Sequence, residues 1–400
     1  ESVGLWFLKN KLVIPAERFD AALWVYQLSV ISTLLGITQV PYQAVITARE
    51  KMGVYAYLSI IDVTLKLILV AIICFVDFDK LKLLALVVFF NGLIVFLITR
   101  IYCIRHFDEC RLHFVKDWRA YLEILNYAGW NLSSHVILIA RTQGVNILLN
   151  LFFGPAINAA RGVAVQVNDM ILRFSRNFQT AVVPQITKLY ASGQLKEMSG
   201  LICMSSKISY LLLVFFMFPM ILETECVLTL WLGKVPEWAV VFCKLTLIAS
   251  LFDALSGTLV YGALAVGVVR KYHLTVGGIL ALNFVLPYFL LKNGSSPICV
   301  YYIECLVFVA CLFVRLLFLK SYFNFSITLY LRDVVLRCFA VTGFMSLICI
   351  PVFVSMRASL IRFVIILLLS TLAFVMASLF VGLNMLERKK VFATVERKFP

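Results

Sequence analysis

Apolar runs of about 20 residues, each long enough to cross a hydrocarbon core of about 30 Å as a helix, recur from one end of this chain to the other. Inside a bilayer every backbone N–H and C=O must find its partner within the segment, so such runs can fold only as helices or as a closed barrel. Runs of this length exclude the short alternating strands of a barrel. Candidate spans fall at about 22 to 46, 54 to 76, 83 to 104, 127 to 152, 156 to 190, 205 to 224, 239 to 266, 272 to 292, 297 to 319, 333 to 354 and 358 to 383. Composition agrees, since 62% of the residues are hydrophobic and 14% charged, far from the balance of a water-soluble domain. The expected fold class is therefore an all-α polytopic membrane protein with about eleven transmembrane helices.

A net charge of +15 would suggest nucleic acid on a soluble protein. Here the basic residues gather in alternate loops: Arg49 and Lys51; Arg105, Arg111, Lys116 and Arg119; Lys188 and Lys196; Arg270 and Lys271; Lys320; and Arg388, Lys389 and Lys390. By the positive-inside rule these loops are cytoplasmic, and no nucleic-acid partner is expected. The opposite loops carry Asp77, Asp79, Glu223, Glu225 and Glu237, with Lys80, Lys82, Lys234, Arg357 and Arg362 as basic exceptions. The eleven cysteines are scattered, several inside apolar runs, and lack the spacing of a disulfide framework. The chain opens at Glu1 on what reads as the end of an apolar segment with an interfacial Trp6, without a signal peptide, which points to a start inside a longer protein.

An internal repeat is legible. The first span ends in Pro41-Tyr42-Gln43-Ala44 followed by Ala48-Arg49-Glu50-Lys51, and the seventh in Tyr261-Gly262-Ala263 followed by Val269-Arg270-Lys271; each then leads into two further spans. Matching spans one to three with seven to nine leaves spans four to six without partners, which would lie before Glu1. A complete protein would then hold about fourteen helices, as two six-helix bundles and a final pair. The expected organisation is 1–120 as the remainder of an N-terminal bundle with its connector, 121–325 as a C-terminal six-helix bundle, and 326–400 as a final helix pair with a basic tail.

Ionisable groups inside membrane helices normally face water or a partner. In the fourth span Asn131, Ser134, His135, Thr142, Asn146 and Asn150 recur at helical spacing, with Arg141 and Gln143 beside them; in the fifth, Asn158, Arg161, Asp169, Arg173, Arg176 and Thr180 do the same. Both stripes are expected to line a wet cavity, where Arg141, Arg161, Arg173 and Arg176 offer planar donors to a diphosphate. The plainer alternative pairs Asp169 with Arg173 one turn away and leaves the amides to stitch helices together. Asp62, Asp253 and Glu304 are candidate sites for a coupling ion, although Asp62 could instead pair with Lys66 one turn on. Cys103, His106, Cys110 and His113 share one helical face, but a straight helix cannot wrap four ligands round one ion, so no metal is expected. No nucleotide, hydrolase or metalloprotease motif occurs; neither cofactor nor catalytic residue is expected, and the chain is read as no enzyme.

Several pieces together carry a family resemblance: Val3-Gly4-Leu5-Trp6-Phe7, Ile14-Pro15, Trp24-Val25-Tyr26-Gln27, Gly129-Trp130-Asn131, Gln143-Gly144, Phe152-Phe153-Gly154-Pro155, Asn158-Ala159-Ala160-Arg161-Gly162 and Pro184-Gln185-Ile186-Thr187-Lys188. The chain resembles the Wzx-like polysaccharide flippases of the MATE-like (MOP) exporter superfamily, most closely from Gly129 to Gly193. The resemblance implies a two-bundle transporter in the bacterial inner membrane. It would move undecaprenyl-diphosphate-linked oligosaccharide from the cytoplasmic to the periplasmic leaflet by alternating access, for O-antigen, capsule or exopolysaccharide synthesis. Cationic cavity residues, here Arg141 and Arg161, would meet the diphosphate. Lipid-linked oligosaccharide and membrane lipid are the implied partners, with polysaccharide polymerase and glycosyltransferases as candidates for a complex. Gly144, Gly154, Pro155 and Gly162 are candidate flex points. A cation-coupled drug exporter of the same fold and a membrane-embedded polymerase or acyltransferase are the alternatives; the first would favour a cavity carboxylate, the second a large outer loop that this chain lacks.

Overall fold

The computed structural model describes residues 2–12, 14–49, 51–73, 75–76, 78–110, 143–267 and 269–382, with positions 118, 121, 122, 125 and 139. Among the described residues every regular element is helical. Among the described residues eight helices are long and apolar enough to cross a membrane, and the protein is a multi-pass membrane protein. Side chains such as Leu34, Val63, Leu67, Leu347, Ile361 and Leu372 stand exposed, as lipid-facing positions do. The chain divides into two units, Glu1–Asn126 and Tyr127–Pro400.

Unit 1 contains α1 (Ser2–Asn10), α2 (Phe19–Ala48), α3 (Met52–Ile73) and α4 (Lys80–His106). α4 starts where Asp79 accepts the backbone N–H groups of Leu81 at 2.9 Å and Lys82 at 3.4 Å, and it stops at Phe107, whose backbone is extended. Charges pin α2 to α4 at both ends: Arg18 meets Asp79 at 2.9 Å and Lys82 pairs with Asp20 at one end, and Arg49 pairs with Glu109 just beyond the other. Near that second end Ile46, Cys103 and Phe107 form a small apolar core.

Unit 2 contains α5 (Gln143–Phe153), α6 (Pro155–Ala191), α7 (Leu195–Leu222), α8 (Thr224–Leu232), α9 (Ala239–Ala265), α10 (Val269–Lys292), α11 (Cys299–Phe323), α12 (Ile327–Ser355) and α13 (Leu360–Gly382). α5 passes into α6 through Gly154, whose φ of 82° suits a residue without Cβ, and Pro155 then opens α6 with its φ already set for a helix. α9 sits at the centre, against α6, α7 and α11. Its buried Ala249, Ser250, Ala254, Ser256, Thr258, Gly262 and Ala263 let neighbouring backbones come close, which is how membrane helices pack without a water-driven collapse. A Cβ on Gly257 would lie 2.8 Å from Gln179 of α6, and one on Gly262 would lie 2.8 Å from Ile202 of α7. α12 and α13 pack on each other and on α7, where the hydroxyls of Tyr210 and Thr342 share a 3.0 Å hydrogen bond.

The two expected trios share a packing order: α4 lies along both α2 and α3, and α11 along both α9 and α10, while the first two helices of each trio touch little. Two predicted spans, α3 and α6, are helical without belonging to the eight; polar side chains along α6 lower its hydropathy. The predicted span at 127 to 152 falls largely outside the described residues, which begin again at Gln143. Two of the basic exceptions in the acidic loops are neutralised in place, Lys82 by Asp20 and Arg362 by Glu223.

Candidate functional site

The polar residues along α6 differ in burial. Eight residues at about 100° each carry position 169 roughly 80° round the helix from position 161, and the structure divides the set at that point. Arg161 turns inward and is buried. Its Nε donates to Asn146 Oδ1 at 2.7 Å, Asn146 Nδ2 donates to Gln143 Oε1 at 3.1 Å, and the guanidinium lies 5.8 Å from the centre of the Tyr301 ring. Three of the predicted residues, Gln143, Asn146 and Arg161, are thus brought together across α5 and α6. Tyr301 of α11, which the sequence reading missed, closes the group. Asn158 is half-buried one turn before Arg161, and Asn150 is buried on α5.

Farther along α6, Asp169 is half-buried while Arg173, Arg176 and Thr180 are exposed on the unit's outer face. Asp169 meets Arg176 at 3.9 Å, two turns on, in place of the Arg173 pairing that spacing alone allowed. A membrane-length helix cannot turn such a face to lipid tails, so it needs water or a polar partner. Arg141, Asn131, Ser134, His135 and Thr142 lie outside the described residues.

The three coupling-ion candidates have different surroundings. Asp253 of α9 has a cationic partner: Arg315 of α11 reaches it at 3.5 Å. Arg315 is almost wholly buried, donates from Nε to the Tyr272 hydroxyl at 3.2 Å, and donates from Nη1 to Ser256 Oγ. Its partner lies two helices away, a relation that no local spacing encodes. Glu304 is half-buried on α11, one turn from Tyr301. Asp62 forms no bridge with Lys66, which is exposed; its Oδ1 accepts a 2.6 Å hydrogen bond from Asn91 of α4. Beside it a cavity of about 250 Å³ opens within unit 1.

Cys103 and His106 point apart. Cys103 is buried with its thiol 3.7 Å from the Tyr42 carbonyl, whereas His106 is exposed and stacks on Tyr102 with ring centres 4.3 Å apart. His113 lies outside the described residues. Among the described residues no group of three or more His, Cys, Asp or Glu side chains could hold a metal. The residues that sequence reasoning missed, Arg315, Tyr301, Asn91 and the buried Lys207 of α7, are single polar positions in apolar runs. A charge inside an apolar span, as at Arg315 and Lys207, was the available signal. Searched against models of known protein families and against curated proteins, the chain matches none.

Proposed function

We propose that this membrane protein is a flippase for an undecaprenyl-diphosphate-linked oligosaccharide, moving it from the cytoplasmic to the periplasmic leaflet of a bacterial inner membrane for surface polysaccharide synthesis. The observation that carries the reading is the distribution of arginines along α6. Arg161 is buried with its fork held by Asn146 and set over Tyr301, while Arg173 and Arg176 stand exposed. A guanidinium held in this way presents fixed planar donors to phosphate oxygens, and an exposed cationic face draws an anionic headgroup along the helix. The sugar would follow this wet path while the polyprenyl tail stays among lipids. Alternating exposure of the path to the two membrane faces, in a MATE-like two-bundle fold, belongs to the same proposal.

The experiment is complementation. A strain lacking the gene that encodes this chain should lose surface polysaccharide and regain it on expression of the wild type. Arg161→Ala should fail at matched membrane level, Arg161→Lys should restore partly because charge survives but the bidentate fork does not, and Arg173→Ala with Arg176→Ala should slow recovery without altering expression. Full restoration by all three would overturn the cationic path. Polysaccharide that survives deletion, together with new sensitivity to cationic drugs, would replace the flippase with a cation-coupled exporter, the second reading, which the Asp62 carboxylate beside its cavity favours.

A further inference from the structure

Two arginines at one end of the last helix pair have no part in the diphosphate path of α6, and both turn to a single carboxylate. In α12, Arg332 Nε donates to Asp333 Oδ1 at 3.1 Å, and Arg337 Nε lies 3.9 Å from the same oxygen. Arg337 Nη1 also donates at 3.4 Å to the Val381 carbonyl, in the last turn of α13, where a helix leaves its carbonyls without partners of their own. Both stretches, Leu331–Val335 and Ser378–Gly382, are wound as widened π turns, a local form frequent at working sites. Two guanidiniums on one carboxylate leave one net positive charge. The Arg332 side chain is 72% exposed, and among the described residues its terminal nitrogens meet no acceptor.

The position of the cluster narrows its ligand. Arg332 stands in the second turn of α12, one residue before the apolar span expected at 333 to 354, on the side that Lys320 and the positive-inside rule assign to the cytoplasm. Farther along the same helix Leu336, Leu347 and Val354 are exposed, and so is Phe380, next to Val381 on α13. A charge heading an apolar stripe matches the build of a phospholipid, whose phosphate lies at the headgroup level with its chains beneath. Planar guanidinium forks suit phosphate oxygens. The net charge of the cluster selects the headgroup: one phosphodiester neutralises it, whereas a zwitterionic headgroup brings a cation of its own against Arg332.

We propose that Arg332 and Arg337, held by Asp333, bind the phosphodiester of an anionic phospholipid of the cytoplasmic leaflet at the α12–α13 edge. The site stands independently of the cargo assigned above and fastens the last helix pair to that leaflet. The test uses the purified full chain in detergent, with its melting temperature followed as phosphatidylglycerol or phosphatidylcholine of equal chain length is titrated into the micelles. The wild type should gain stability saturably with phosphatidylglycerol and much less with phosphatidylcholine. Arg332→Gln and Arg337→Gln should each weaken the apparent affinity by about fivefold. Lys234→Gln, which removes the same charge from an exposed position in an opposite loop, should leave it unchanged. Arg337 also ties α12 to α13, so the deciding variant is Arg332→Gln, whose exposed side chain bears no such tie. Equal responses to the two lipids, or a wild-type response in Arg332→Gln, would overturn the site. A full response to inorganic phosphate would overturn the lipid in favour of a free anion. Saturation by undecaprenyl diphosphate at lower concentration than by phosphatidylglycerol would overturn the phospholipid and make the cluster an entry point for cargo. No oligosaccharide is present in this assay, so its failure and the failure of the flippase assay remain distinguishable.

Discussion

The Arg362 guanidinium grips the Glu223 carboxylate with two parallel hydrogen bonds, Nε to Oε1 at 2.7 Å and Nη2 to Oε2 at 3.0 Å. Glu223 ends α7 with its side chain wholly buried, and Arg362 stands in the first turn of α13, capped there by Ser359. The remaining fork nitrogen donates to the Met356 carbonyl at 3.1 Å, and the Phe353 ring lies 4.3 Å from the guanidinium. This clasp fastens the last helix pair to α7 at one end, complementing the Tyr210–Thr342 bond within the same packing.

Removing either partner of the clasp leaves the other charge buried and uncompensated. Glu223→Gln or Arg362→Met should each cost about 3–5 kcal/mol, and the double variant should cost clearly less than the two singles combined. A double-mutant cycle measured by unfolding in mixed micelles checks this; strict additivity would show the pair to be uncoupled.

The Asp253–Arg315 pair should behave asymmetrically. Arg315→Met replaces a buried guanidinium by an apolar chain of similar length and leaves Asp253, whose side chain is 41% exposed, free to find water, so stability should change little. Asp253→Asn instead strands the buried cation on Tyr272 and Ser256, at a cost near the lower end of about 3–5 kcal/mol. Melting temperatures of the two variants decide it, and equal losses would contradict the argument.

Gly144 and Gly162, both candidate flex points, separate on packing grounds. A Cβ on Gly144 would lie 2.6 Å from the ring of Phe284, so Gly144→Ala should destabilise by about 1–3 kcal/mol, with recovery when Phe284→Leu is added. Nothing stands within 4 Å of a Cβ on Gly162, and Gly162→Ala should stabilise by up to about 1 kcal/mol through the higher helix propensity of alanine. A fall in polysaccharide recovery alongside that rise in stability would mark Gly162 as a point that must bend.

Asp79 caps α4, and the backbone N–H of Leu81, followed by that of Lys82 and the charges of Arg18 and Lys82, holds its carboxyl below the ordinary value of 3.8. A lowered folded value means that the carboxylate stabilises the fold above about pH 3.8 and loses that effect as pH falls through the lower native value. Asp79→Ala should therefore lower the melting temperature at pH 7, and its deficit should shrink at the acid limit. Asp79→Asn should keep the cap and lose only the charge contribution.

The two trios matched by their loop sequences, α2–α4 and α9–α11, have the same packing order, with the third helix of each against the first two. Asp169 pairs with Arg176 and not with Arg173, because both arginines lie near its face of α6 and only side-chain direction chooses between them. Asp62 shows the same limit: one turn from Lys66 in sequence, it turns across to Asn91.

What the sequence determined by itself was the solvent and the secondary structure. Recurring apolar length leaves a chain no alternative to helices in lipid, because each helix satisfies its own backbone wherever its neighbours lie. Tertiary structure alone decided which polar groups meet. Arg315 with Asp253, Arg362 with Glu223, and Arg161 with Asn146 and Tyr301 join different helices, and the rotation of each helix about its axis, set by small-residue packing such as that along α9, determines whether a charge faces a partner, water or lipid.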